Sequence, residues 1–136
     1  MKIYFAGSVR AGRGDQDFYY SIINELKKYG EVLTEHLGSE SLSDQGEKGV
    51  TDTYIFKRDM NWVKEADILV GEVTTPSLGV GFEIGQAQSM GKKVYLLYRS
   101  IEGKKLSGML SGNSYLKIIE YKDIKDIPQI LENFLK

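Results

Sequence analysis

The stretch Ile68-Leu69-Val70-Gly71-Glu72-Val73-Thr74-Thr75-Pro76-Ser77-Leu78-Gly79-Val80-Gly81-Phe82-Glu83 decides how this chain folds. Its opening run, Ile68 to Val73, is apolar and rich in β-branched side chains, which predicts a buried strand. Turn-forming residues follow from Thr74 to Gly79, and Val80, Ile84, Ala87 and Met90 then mark one face of a helix. Strand, tight loop and helix in this order make a βα unit. The rest of the chain repeats the theme.

Further strand candidates lie at Ile3 to Ala6, Val32 to Thr34, Val94 to Tyr98 and Leu116 to Tyr121. Phe18, Ile22, Ile23, Leu26 and Tyr29 fit one helical face, and Ile55, Met60, Trp62 and Val63 fit another less cleanly, with Trp62 expected in the core. A last helix is expected with Asp126 as its cap, Pro128 in its first turn, and Ile127, Ile130, Leu131 and Phe134 on its apolar side. Alternating strands and helices imply right-handed crossovers. The expected fold is α/β, a doubly wound five-stranded parallel sheet flanked by helices, flavodoxin-like or Rossmann-like, with residues 1–136 forming one domain. Between Gly38 and Gly49 the chain is polar and aperiodic, and it reads as a lid over a site.

Composition narrows the chemistry. Lysine and arginine (18) nearly balance aspartate and glutamate (19), so no basic field exists to hold a nucleic-acid polymer. Cysteine is absent and His36 is the one histidine, which excludes thiolate or histidine-rich metal sites and suits a reducing compartment. The N-terminal apolar run is too short for a signal peptide, and no stretch approaches a membrane span. A cytoplasmic protein is expected.

In open α/β sheets ligands bind beyond the carboxyl ends of the strands. The first strand runs into Gly7-Ser8-Val9-Arg10-Ala11-Gly12-Arg13-Gly14, where close backbone approach, a hydroxyl and two guanidinium groups suit an anion. A plain β-to-α turn with solvated arginines is equally compatible with that loop. In the third loop, glycines precede Glu83, placed in the first turns of a helix whose N-terminus favours an ionised carboxylate. Glu83 is then expected to stay deprotonated at neutral pH, either as a nucleophile or merely as a complement to the helix dipole. Asp59, from a different helix, supplies a second carboxylate, unless it only pairs with Arg58 or Lys64 on the surface. Asp44, Asp52 and Asp67 look less well placed. Tyr4, at the end of an inner strand, could hydrogen-bond a carboxylate or stack on a base.

These motifs occur together and in order: Tyr4-Phe5-Ala6-Gly7-Ser8-Val9-Arg10, Leu33-Thr34-Glu35-His36, Arg58-Asp59-Met60-Asn61-Trp62, Glu72 to Glu83, and Leu106-Ser107-Gly108-Met109. On them the chain resembles the 2'-deoxynucleoside 5'-phosphate N-hydrolases of the nucleoside 2-deoxyribosyltransferase superfamily. The resemblance implies a homodimer with Glu83 as nucleophile, Asp59 as second catalytic carboxylate and Tyr4 assisting. It implies a substrate 5'-phosphate bound by Ser8, Arg10, Ser77 and the Gly79 backbone, with Ser107 contributed across the interface, and with Gly7, His36 and Met109 also near the substrate. The products would be a free base and 2-deoxyribose 5-phosphate, formed through a glycosyl-enzyme without a metal or organic cofactor. Three other readings stay open: a deoxyribosyltransferase, a hydrolase of ribonucleotides such as CMP, and a nucleotide sensor without turnover.

Overall fold

A computed structural model describes residues 1–8, 15–38, 49–101 and 103–135. The elements follow in the order β1 (Lys2–Ala6), α1 (Gln16–Leu26), β2 (Glu31–Val32), α2 (Asp52–Glu65), β3 (Ile68–Glu72), α3 (Leu78–Ser89), β4 (Lys93–Arg99), α4 (Gly108–Ser111), β5 (Lys117–Tyr121) and α5 (Ile127–Leu135). Short 3-10 turns occupy Glu35–Gly38 and Ile124–Asp126. All strand pairs are parallel, in the order β2-β1-β3-β4-β5. This is the expected five-stranded, flavodoxin-like sheet. The expected lid lies, apart from Gly38 and Gly49, outside the described residues, and so does Arg10.

The sheet separates two apolar layers because side chains alternate along each strand. Ile3 and Phe5 of β1 join Ile22, Leu26 and Leu131 of α1 and α5 in one layer. Tyr4 and Ala6 join Val63 of α2 and Val80, Ile84 and Ala87 of α3 in the other. The run of five buried residues over β3 fits a strand covered on both faces. Strand order reverses between β1 and β3, with Tyr4 opposite Leu69 and Ala6 opposite Gly71, and the crevice at such a switch point is where this class of sheet binds ligands.

Three details differ from the sequence-based expectation. β2 stops at Val32 rather than reaching Thr34. Thr34 turns its hydroxyl onto β1 instead: Oγ1 accepts from the Phe5 N–H at 2.9 Å and donates to the Phe5 carbonyl at 2.6 Å. A side chain thus replaces the backbone ladder. The cap before the last helix is Asp123, not Asp126: Asp123 Oδ1 accepts from the Lys125 N–H, while Asp126 Oδ2 accepts from the Asp123 N–H, a reciprocal box. Tyr4 lies in the middle of β1 rather than at its end.

Candidate active site

Strand alternation aims Tyr4 at the α2 and α3 layer, and its hydroxyl donates to Glu83 Oε2. Asp59 on α2 joins Tyr4 and Glu83 around a cavity of about 510 Å³, and so do Gly7, His36, Ser77 and Gly79. The structure therefore brings seven of the expected site residues to one place. The cavity size suits a nucleotide-sized ligand.

Burial pushes the Glu83 carboxyl up to about 8, against the expectation that a helix N-terminus keeps it ionised. Glu83 lies more than a turn inside α3, which starts at Leu78, and the dipole effect fades within the first turn. Loss of hydration then dominates, although the Tyr4 hydroxyl pulls the other way by favouring the carboxylate. The result is a basic, partly desolvated carboxyl facing a cavity.

Asp59 both lines the cavity and pairs with Arg58, with Nε to Oδ1 at 2.9 Å, so the surface-pair reading and the site reading coexist. Arg58 is itself held over the Trp62 ring, 4.8 Å from its centroid. Trp62, expected in the core, is only partly buried at its edge and meets the His36 ring at 5.8 Å between centroids. Asp52 is better placed than the sequence suggested. Two helical turns before Asp59, it returns to the same face of α2 and lines the same cavity. Phe56 and Phe82, paired at 6.1 Å between centroids, line it too and went unnoticed in the sequence, where neither belongs to a clear apolar stripe.

At the other end, Gly7 leads the chain closely past Tyr19, where a Cβ would come within 3.0 Å of the ring. The Tyr19 hydroxyl accepts from the Ser8 N–H at 2.9 Å. Ser8 is 1% exposed, and its Oγ finds no partner among the described residues. A buried hydroxyl without a partner is costly unless something else meets it. Ser77 caps α3, accepting from the Val80 N–H at 3.3 Å, and keeps its own proton to donate.

Ser107 and Met109 do not line this cavity. They line a second one, about 890 Å³, that adjoins the first through Ser77 and Val80. Ser107 caps the short α4, which the sequence did not reveal, accepting from the Met109 N–H at 3.2 Å. Among the described residues, no group of three or more His, Cys, Asp or Glu could hold a metal ion, and no helix is long and apolar enough to cross a membrane.

Comparison with known proteins identifies relatives of the whole chain. The chain is 44% identical to a 5-hydroxymethyl-dUMP N-hydrolase of Danio rerio, over 100% of this chain and 96% of that protein. It is 49% identical to a putative 2'-deoxynucleoside 5'-phosphate N-hydrolase 1 of Nematostella vectensis, over 98% and 92%. Its fold is similar to that of a Clostridium botulinum CMP N-glycosidase, with a TM-score of 0.64 at 23% identity, covering 97% of this chain and 99% of that one. Residues 3–114 match the family described as nucleoside 2-deoxyribosyltransferase, and the chain belongs to that family.

Proposed function

We propose that the protein hydrolyses the N-glycosidic bond of 2'-deoxynucleoside 5'-monophosphates, releasing a free base and 2-deoxyribose 5-phosphate. The observation that carries this reading is Glu83, a desolvated carboxyl bonded to Tyr4 and facing a cavity that a second helix supplies with Asp59. The names of the Danio rerio and Nematostella vectensis relatives support the substrate class.

In the first step a Glu83 oxygen bonds to C1' while the C1'–N bond breaks, and the departing base takes the electron pair and a proton from Asp59. In the second, Asp59 accepts a proton from water, whose oxygen bonds to C1' and frees the Glu83 carboxylate. The Tyr4 hydroxyl orients Glu83 throughout. The 5'-phosphate takes the unmet Ser8 hydroxyl, the Ser77 hydroxyl and the Gly79 N–H, joined by Arg10. His36 borders the sugar or base.

The active unit of this reading is a homodimer. Leu78 at 98% exposure and Met109 at 83% form an apolar surface around the second cavity, the sort of patch a partner covers. A second copy seated there brings its Ser107 to the phosphate, since the two cavities meet at Ser77.

The test is to incubate purified protein with the four common deoxynucleoside monophosphates, one ribonucleotide and one unphosphorylated deoxynucleoside, following base and sugar phosphate by chromatography. Base release confined to the deoxy monophosphates is expected. Base exchange that requires an added acceptor base would make the protein a transferase, and release from the ribonucleotide would overturn the deoxy preference.

A further inference from the structure

Beside the Glu83 cavity, the carboxyl ends of β3 and β4 carry a second set of buried polar groups. Glu72 has no exposed surface, and it accepts from the Thr74 N–H at 2.7 Å, the Thr74 hydroxyl at 2.9 Å, Arg99 Nε at 3.3 Å and the Tyr121 hydroxyl. Arg99 extends the set in the opposite direction. A second guanidinium nitrogen donates to Asp15, the group lies 3.6 Å from the Phe18 ring centroid, and the Arg99 N–H donates to Thr74 Oγ1 at 2.9 Å. Asp15 also accepts from the Thr75 hydroxyl at 2.5 Å.

The placement of these residues matters more than their number. Asp15 stands immediately before α1, the helix whose Tyr19 hydroxyl accepts from the Ser8 N–H. Thr75 stands in the loop from β3 to α3, shortly before Ser77 and Gly79. The Asp15 carboxylate therefore ties the start of α1, the helix that holds the Ser8 N–H through Tyr19, to the loop that carries Ser77 and Gly79 into the cavity. Arg99, fixed by Glu72 and Phe18, holds Asp15 in place.

We infer that Asp15, Thr75 and Arg99, anchored on Glu72, brace the start of α1, whose Tyr19 holds Ser8, against the Ser77 loop and so set the affinity of the site for a phosphorylated sugar. This inference rests on the hydrolase reading above. Donors from two separate loops grip one phosphate well only if their spacing is fixed beforehand; otherwise binding must order the loops, and affinity falls. The chemistry at C1', framed by β1, α2 and α3, is not touched by the brace. These are positioning residues, and their loss weakens binding rather than turnover.

Thr75→Val removes the bond to Asp15 while preserving shape, Thr75→Ser keeps a hydroxyl, and Asp15→Asn weakens the bond to Arg99. The expected result in Thr75→Val is a rise of about five- to tenfold in the KM for a deoxynucleoside monophosphate and in the inhibition constant of 2-deoxyribose 5-phosphate. Turnover stays within about twofold and inhibition by free base is unchanged, because neither depends on the phosphate grip. Thr75→Ser behaves as wild type, and Asp15→Asn repeats the pattern of Thr75→Val with a folded circular-dichroism spectrum. An unchanged constant for the sugar phosphate in both Thr75→Val and Asp15→Asn overturns the brace, as does equal weakening of sugar phosphate and free base. Wild-type protein that releases no base and ignores the sugar phosphate overturns the hydrolase reading, and the brace with it.

Discussion

Glu72 and Glu83 belong to the same βα unit and are both withdrawn from water, yet their surroundings are opposite. Glu72 collects donors from Thr74, Arg99 and Tyr121 and is wholly covered. Glu83 is half-buried, takes a hydrogen bond from Tyr4, and faces a cavity with its proton affinity pushed up to about 8. A carboxylate saturated with donors is a structural anchor; one that has lost water without full replacement is available for bonding to something else. The difference distinguishes scaffold from candidate chemistry more sharply than either residue's position in the sequence.

The comparison breaks most visibly on substitution. Glu83→Ala is expected to lower turnover by about a thousandfold or more while the protein stays folded, as measured by base release and circular dichroism. Glu72→Gln is expected to do the reverse, costing about 3 kcal/mol in urea unfolding because Arg99 loses a buried partner, with turnover preserved in the folded fraction. Asp59→Asn should reduce turnover about a hundredfold, the usual scale for loss of a general acid, seen in the same chromatographic assay.

Smaller effects lie in pH. The acid limb of kcat/KM for the wild type should sit near 8, where Glu83 ionises, and activity should climb through that point. Tyr4→Phe removes a donor that favours the carboxylate, so this limb should move upward by up to about one unit. Stability carries the same signature with its own sign. The folded state holds the Glu83 proton more tightly than the unfolded chain, so stability from this group is full below the unfolded value of 4.5 and is lost as pH rises towards about 8. Glu83→Gln should flatten that decline, most clearly when Tm values at pH 5 and pH 8.5 are compared.

Much of this arrangement was legible in the sequence, where strand pattern, loop composition and helix periodicity point the same way. The runs Ile3 to Ala6, Ile68 to Val73 and Val94 to Tyr98 are apolar enough to specify inner strands, and their loops carry Gly7, Ser77 and Gly79. What stayed hidden depends on contacts remote in sequence. Thr34 replaces a strand edge because it meets Phe5, which no local propensity encodes. Asp52 belongs to the cavity because α2 begins earlier than its broken apolar pattern implies. The raised pKa of Glu83 follows from its burial, not from its place in α3. Ser107 and Met109 fall in the adjoining cavity, on the short α4 after β4, which no apolar pattern announces.

On the proposed function, the two carboxylates of one βα unit divide structure and chemistry between them, Glu72 anchoring the scaffold and Glu83 reacting. Turnover of a deoxynucleoside monophosphate by Glu83→Gln and Glu72→Gln, each normalised to its folded fraction, tests it most directly. Near-complete loss is expected in Glu83→Gln and near-wild-type turnover in Glu72→Gln. Substantial base release by folded Glu83→Gln would contradict it.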